Sequence, residues 1–211
     1  MQLELTELLV CPRCGPPHGL IAFVERMERR RIEAGHLDCP ICEERHVIRG
    51  ATVWFGGAAA PAIGDDVAIE ASASGDRAVM ATALLGAPAS GETILFGSGA
   101  EAFAAAVAAL RPDARVVSFG GAPSPPHERV HSLVAVEGRE WPRSLPLRDG
   151  CLDGVVLRGD VAPRVAEAAR VLRPGGRLVV LDPGSEEAAI PPDAPLEILA
   201  ADPRAWVAAR S

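Results

Sequence analysis

Thr93-Ile-Leu-Phe-Gly-Ser-Gly99 and Arg173-Pro-Gly-Gly-Arg-Leu-Val-Val-Leu-Asp-Pro183 decide how the larger part of this chain folds. Each joins a short aliphatic run to glycines, the pattern of a buried strand beside a tight turn. Working outward, Ala100 to Leu110 is an Ala-rich helix, Arg115-Val-Val-Ser-Phe-Gly120 a second strand, and Val161 opens a helical pattern. From about residue 75 to the end, helical and strand signals alternate. That alternation predicts an α/β fold, a mostly parallel sheet covered by helices.

Upstream lie two Cys-x-x-Cys pairs, Cys11-Pro-Arg-Cys14 and Cys39-Pro-Ile-Cys42. Four thiolates delivered as two pairs suit the tetrahedral preference of a structural zinc ion, so Cys11, Cys14, Cys39 and Cys42 are the predicted metal ligands. Between the pairs, Leu20 to Ile32 followed by Glu33-Ala-Gly-His36 as a turn fits helix or hairpin by periodicity; a hairpin is preferred, because it would bring the second pair back beside the first. Residues 43 to 55 predict a strand, a glycine turn and a second strand. His46 is a reserve ligand; with four cysteines present it reads as a strand or surface residue. The division expected is a zinc ribbon over 1–55, a linker over 56–74 and the α/β domain over 75–211.

Composition narrows the function. The net charge is −7, and all 21 basic residues are Arg, which reads as codon bias rather than phosphate binding. That charge argues against a nucleic-acid footprint across the domain. The local run Arg26, Arg29, Arg30, Arg31 is interspersed with Glu25, Glu28 and Glu33 and reads as a solvated face. No apolar run reaches the ~20 residues that span a bilayer, and no membrane is expected as a partner. Paired cysteines spaced for metal point to the reducing cytoplasm. Cys151 has no activating neighbour in the sequence and reads as an ordinary apolar-leaning residue.

Leu8-Leu-Val-Cys-Pro-Arg-Cys14 together with Leu37-Asp-Cys-Pro-Ile-Cys-Glu-Glu-Arg-His-Val-Ile-Arg-Gly-Ala51 resembles the zinc-ribbon family that binds and activates tRNA, rRNA and release-factor methyltransferases. From Arg77 the chain resembles the class I S-adenosylmethionine-dependent methyltransferases. The carriers are the Thr93–Gly99 turn, Leu145-Pro-Leu-Arg-Asp-Gly-Cys-Leu-Asp-Gly-Val-Val-Leu157, and the Arg173–Pro183 run. The resemblance implies a Rossmann-like methyltransferase fold with a C-terminal antiparallel hairpin, here Leu196–Ala200 and Ala205–Ala209. It implies a methyltransferase or a translation component as partner.

Against that family pattern the cofactor motif is altered. The family places an acid and then three alternating glycines at the first turn. Gly97 and Gly99 are retained as cofactor-binding candidates, but the acid falls on Leu95 and the third glycine on Glu101. The carboxylate expected at the end of the second strand, to hold a ribose, is absent from Ser118-Phe-Gly-Gly121. Asp149, Asp153 and Asp160 are the acids left for another binding pose. The expectation is a zinc-binding methyltransferase-like protein, a non-catalytic binding or regulatory module with an eroded S-adenosylmethionine site. The alternative is an active methyltransferase on RNA, protein or a small molecule. No catalytic residue is assigned. Asp160 reads as a helix cap. His127-Glu-Arg-Val-His131 matches the zinc-protease motif H-E-x-x-H but reads as a chance helical face in a peripheral connection.

Overall fold

The computed structural model describes residues 1–50, 52–56, 74–97, 99–120, 129–135, 144–184 and 190–211. Nearly all of the expected linker lies outside the described residues. Among the described residues eleven strands form one sheet: β1 (Ile21–Glu28), β2 (Arg31–Asp38), β3 (Arg45–Arg49), β4 (Thr52–Phe55), β5 (Thr93–Gly97), β6 (Arg115–Gly120), β7 (Val130–Ala135), β8 (Leu152–Arg158), β9 (Leu172–Leu181), β10 (Leu196–Asp202) and β11 (Ala205–Arg210). The order across it is β1-β2-β3-β4-β7-β6-β5-β8-β9-β11-β10. Strands β7, β6, β5, β8 and β9 are parallel, and β10–β11 closes the far edge antiparallel. This is the Rossmann-like methyltransferase order, with the reversal of strand progression at β5.

Alternation along each strand sends successive side chains to opposite faces. Ile94 and Phe96 of β5 face α1 (Ser74–Leu84) and α2 (Ala104–Leu110), in a core with Ala81, Val107 and Val156. Leu95 faces the other way, into a core with Val117, Val155 and α3 (Val165–Val171). The second core runs on without a break into Leu5, Leu9, Ile32, Leu37 and Ile48 of the N-terminal part. The ribbon is therefore packed against the α/β sheet. Its strand β4 pairs in parallel with β7, Val53 opposite Leu133. The N-terminal stretch adds Val10 N–H to Pro146 O at 3.1 Å and Arg148 N–H to Leu8 O at 2.9 Å.

Two sequence expectations need correction. The β1–β2 hairpin exists, but its turn is Arg29-Arg30, both at positive φ, and not Glu33–His36, which lies within β2. Gly35 serves a register shift in the pairing: a Cβ there would run into the carbonyl oxygen of Phe23. The glycine marks a bulge, where close approach of backbone excludes a side chain. The second correction concerns His131. His127 and Glu128 lie outside the described residues, but Val130–Ala135 is an inner strand rather than a helix. Its apolar residues Val130, Leu133 and Val134 are buried between β4 and β6.

Candidate functional site

The hairpin folds the second cysteine pair onto the first. All four sulfurs lie within 4.8 Å of one another. Cys11 Sγ is 3.6 Å from Cys42 Sγ, and Cys39 Sγ is 3.8 Å from Cys14 Sγ. A tetrahedron of sulfurs at a zinc–sulfur distance near 2.3 Å has edges of about 3.8 Å. The separations match that figure and are far beyond a disulfide bond; all four cysteines are free. The donor set fits zinc.

Local backbone shapes the electrostatics of the cluster. The N–H of Cys14 points at Cys11 Sγ at 3.4 Å. Burial pushes the Cys11 thiol up to about 12 without a metal. Burial also opposes ionisation of Cys39, yet the backbone N–H groups of Cys42 and Ile41, together with the Cys42 and Cys11 side chains, outweigh it and bring that thiol to about 7. A divalent cation would supply the positive charge that four clustered thiolates lack.

His46 is fully buried in β3, not at the surface, and neither ring nitrogen has a hydrogen-bond partner among the described residues. It stands with Glu44 within 4.8 Å of Cys11, a second set of donor atoms. Its ring packs against Phe55 at 4.9 Å. The four-sulfur set is the complete one.

The second candidate site lies at the C-terminal ends of the parallel strands, where open α/β sheets take their ligands. Strand β5 ends at Gly97. Ser98 lies outside the described residues. Gly99 follows at φ +83°, with nothing among the described residues within 4 Å of a Cβ built on it. Glu101 then opens a short 3-10 turn, Glu101–Phe103, leading into α2. Leu95, at the position of the expected acid, is fully buried. It cannot reach a ligand.

The remaining acids have structural partners. Asp153 accepts the N–H of Thr93 at 2.7 Å and pairs with Arg173 at 2.6 Å. Asp149 pairs with Arg170 at 2.5 Å. Asp160 accepts the N–H of Ala162 at 3.3 Å, a local cap on the following 3-10 turn. A group that sequence reasoning missed is Asp182, just past β9. It joins Arg77 at 2.7 Å and Arg158 at 2.9 Å, and Arg77 first, then Arg158, holds its carboxyl below the ordinary range against the effect of burial. Arg158 also lies over the Phe103 ring, 5.8 Å from its centroid. Cys151 is half-buried and its thiol is pushed up to about 11 by burial. No helix among the described residues is long and apolar enough to cross a membrane.

No protein-family model matches the chain, and no curated protein does. Solved structures similar to it include the antibiotic-resistance methyltransferase Kmr, with 18% identity over 61% of this chain and 89% of that one, TM-score 0.43. Geranyl diphosphate C-methyltransferase from Streptomyces coelicolor A3(2), in complex with Mg2+, geranyl-S-thiolodiphosphate and S-adenosyl-L-homocysteine, has 15% identity over 50% of this chain and 42% of that one, TM-score 0.41. A Haloferax volcanii complex of the Trm112 methyltransferase activator with a putative methyltransferase has 22% identity over 49% of each chain, TM-score 0.37. Likenesses at this level carry no argument about function. The fold stands on the strand order, and the metal centre on its four sulfurs.

Proposed function

We propose that this chain is a zinc-stabilised, methyltransferase-like module that serves in binding or regulation rather than in methyl transfer. The observation that carries the reading is Leu95. At the turn where the family sets an acid, this chain has a fully buried aliphatic side chain. Loss of one charge-assisted hydrogen bond costs about 1.5–3 kcal/mol, roughly ten- to hundred-fold in affinity for the methyl donor. The donor site is eroded to that extent. The ribbon's immediate partner is its own sheet, through the β4–β7 pairing, and zinc at the four cysteines would hold the ribbon in the shape that pairing needs. A true methyltransferase or a component of the translation apparatus in the cytoplasm fits the ribbon's resemblance as an external partner.

The test is label transfer. Zinc-loaded protein is incubated with methyl-labelled S-adenosylmethionine and separated RNA, protein and small-molecule fractions of a lysate. The expected result is no incorporation above that of a heat-inactivated control. Label that accumulates in any fraction with the dose of native protein would establish the enzyme instead.

A further inference from the structure

Cys11 belongs to two donor sets. Its sulfur is one of the four in the cysteine cluster, and the same sulfur, a carboxylate oxygen of Glu44 and a ring nitrogen of His46 all lie within 4.8 Å of one another. His46 is the unexpected member. It is fully buried against Phe55, a place where an apolar ring would have no polar atom to satisfy. Neither of its nitrogens has a hydrogen-bond partner among the described residues, and a buried polar group left unpaired works against the fold. The Glu44 carboxylate is likewise passed over by its neighbour: Arg45 pairs with Asp38 at 2.9 Å. The loop that shapes the first site places this second set. Cys39 N–H donates to Glu44 O at 3.0 Å and Glu43 N–H to Cys39 O at 3.0 Å, so Glu44 and His46 leave the Cys39–Cys42 turn beside Cys11.

We propose that Cys11, Glu44 and His46 form a second metal site, joined to the four-cysteine site through the Cys11 thiolate, that takes a borderline divalent cation such as zinc or cobalt. The donor types set the class of ion. One sulfur, one imidazole and one carboxylate suit zinc and its first-row neighbours, and disfavour calcium and magnesium, which take oxygen. Three protein donors leave one tetrahedral position for water, the pattern of an open zinc site. Glu44 is only partly buried, so its flexible side chain can close on an ion that enters from solvent. Charge favours the second ion as well. One divalent ion leaves four thiolates two charges short of neutrality, and Glu44 adds a third negative charge beside them; another cation would offset most of it. A thiolate keeps lone pairs after binding one metal, so Cys11 can hold both. The inference rests on the zinc reading of the four cysteines and adds an ion to it.

Cobalt titration tests this. The full-length chain, stripped of metal under reducing conditions, is titrated with Co2+ while the thiolate-to-cobalt charge-transfer bands and the visible d–d bands are followed. The wild type is expected to take two equivalents. The first completes the bands of a tetrahedral four-sulfur site, and the second changes them again. His46→Phe, which keeps a ring against Phe55, is expected to stop at one equivalent with the first spectrum unchanged. Glu44→Gln is expected to weaken the second equivalent by at least the roughly tenfold that loss of even an outer-shell partner costs. The proposal is overturned if the wild type saturates at one equivalent, or if the second equivalent survives undiminished in His46→Phe or in Glu44→Gln. The Glu44 variant, at a partly exposed position, carries the test should His46→Phe fail to fold. A first-equivalent spectrum altered in His46→Phe would also overturn it, by making His46 a ligand of a single ion. A wild type without four-sulfur bands at one equivalent would remove the cysteine site and this proposal together, whereas loss of the second equivalent alone leaves that site standing.

Discussion

The outer ribbon and the inner parallel strands belong to one sheet but are held by different forces. In β5 every residue is buried, and its side chains feed cores on both faces. In β1, at the edge, Ile21, Phe23 and Met27 are about half exposed, and the strand buries almost nothing. Burial of apolar surface at ~25 cal/mol per Å² can hold β5 in place; it cannot hold β1. What remains for β1 is its pairing with β2, which is itself anchored in the core by Ile32 and Leu37, and the four sulfurs at the base of the hairpin. The comparison teaches where a metal becomes structural: at the end of a sheet where the hydrophobic core gives out.

Metal removal should produce the largest effect and would break the comparison if the two regions do not separate. Binding of structural zinc supplies up to ~10 kcal/mol or more in small domains, and a chain of this size shifts its melting midpoint by about 2–4 °C per kcal/mol. Cys39→Ser, or exhaustive chelation, is expected to lower the midpoint by on the order of 20–40 °C. Hydrogen exchange should show β1 and β2 amides losing protection first, with β5 and β8 last. Simultaneous loss in β1 and β5 would mean that ribbon and sheet unfold as one unit.

A smaller effect is expected from the body of the sheet. Arg111 and Glu92 form a buried ion pair, Nη1 to the two carboxylate oxygens at 2.7 and 2.9 Å, and Nη2 binds the carbonyls of Thr82 and Gly86. The pair ties the end of α1 to the start of β5. Glu92→Ala leaves a buried guanidinium without its counter-ion, at a cost of about 3–5 kcal/mol. Urea unfolding would measure it. A variant within about 1 kcal/mol of wild type would show that the carbonyls alone suffice for Arg111, and that the inner sheet does not depend on this pair.

How much of this was legible in sequence depended on distance along the chain. The cysteine pairs, the Gly97–Gly99 turn and most strands are local patterns, readable from spacing. The turn at Arg29-Arg30 was not, because arginine gives no signal for left-handed backbone, and Gly35 drew the reading to a bulge instead. Strand β7 was hidden by a motif: His127-Glu-Arg-Val-His131 invited a helix, although Val130 to Ala135 carries the aliphatic residues of an inner strand. The meeting of Glu101 with Gly120, where a Cβ would lie 2.9 Å from Glu101 Oε1, could not be read at all. Each position alone looks like a loss, and only the parallel pairing of β5 with β6 brings the two together.

The smallest effect concerns the seam between the two regions, where His131 of β7 lies beside the N-terminal stretch. It is almost fully buried, and neither ring nitrogen has a hydrogen-bond partner among the described residues. Burial brings its pKa down to about 3; the Met1 amino group, Arg31 and Arg115 push the same way, and Glu4 opposes them. The unfolded chain takes up this proton near pH 6.5 and the folded chain only near 3, so between those values the unfolded state binds more protons. Stability from a neutral His131 is complete above about pH 6.5 and is lost as the pH falls toward 3, with a slope of at most ~1.4 kcal/mol per pH unit. His131→Leu is expected to flatten the fall in stability between about pH 6 and pH 4 by that slope. Acid release of metal from the cysteines steepens both profiles alike, so their difference isolates the histidine. Parallel profiles would mean that water or a rearranged seam already meets the ring, and that ribbon and sheet join through a wetter contact than the buried ring implies.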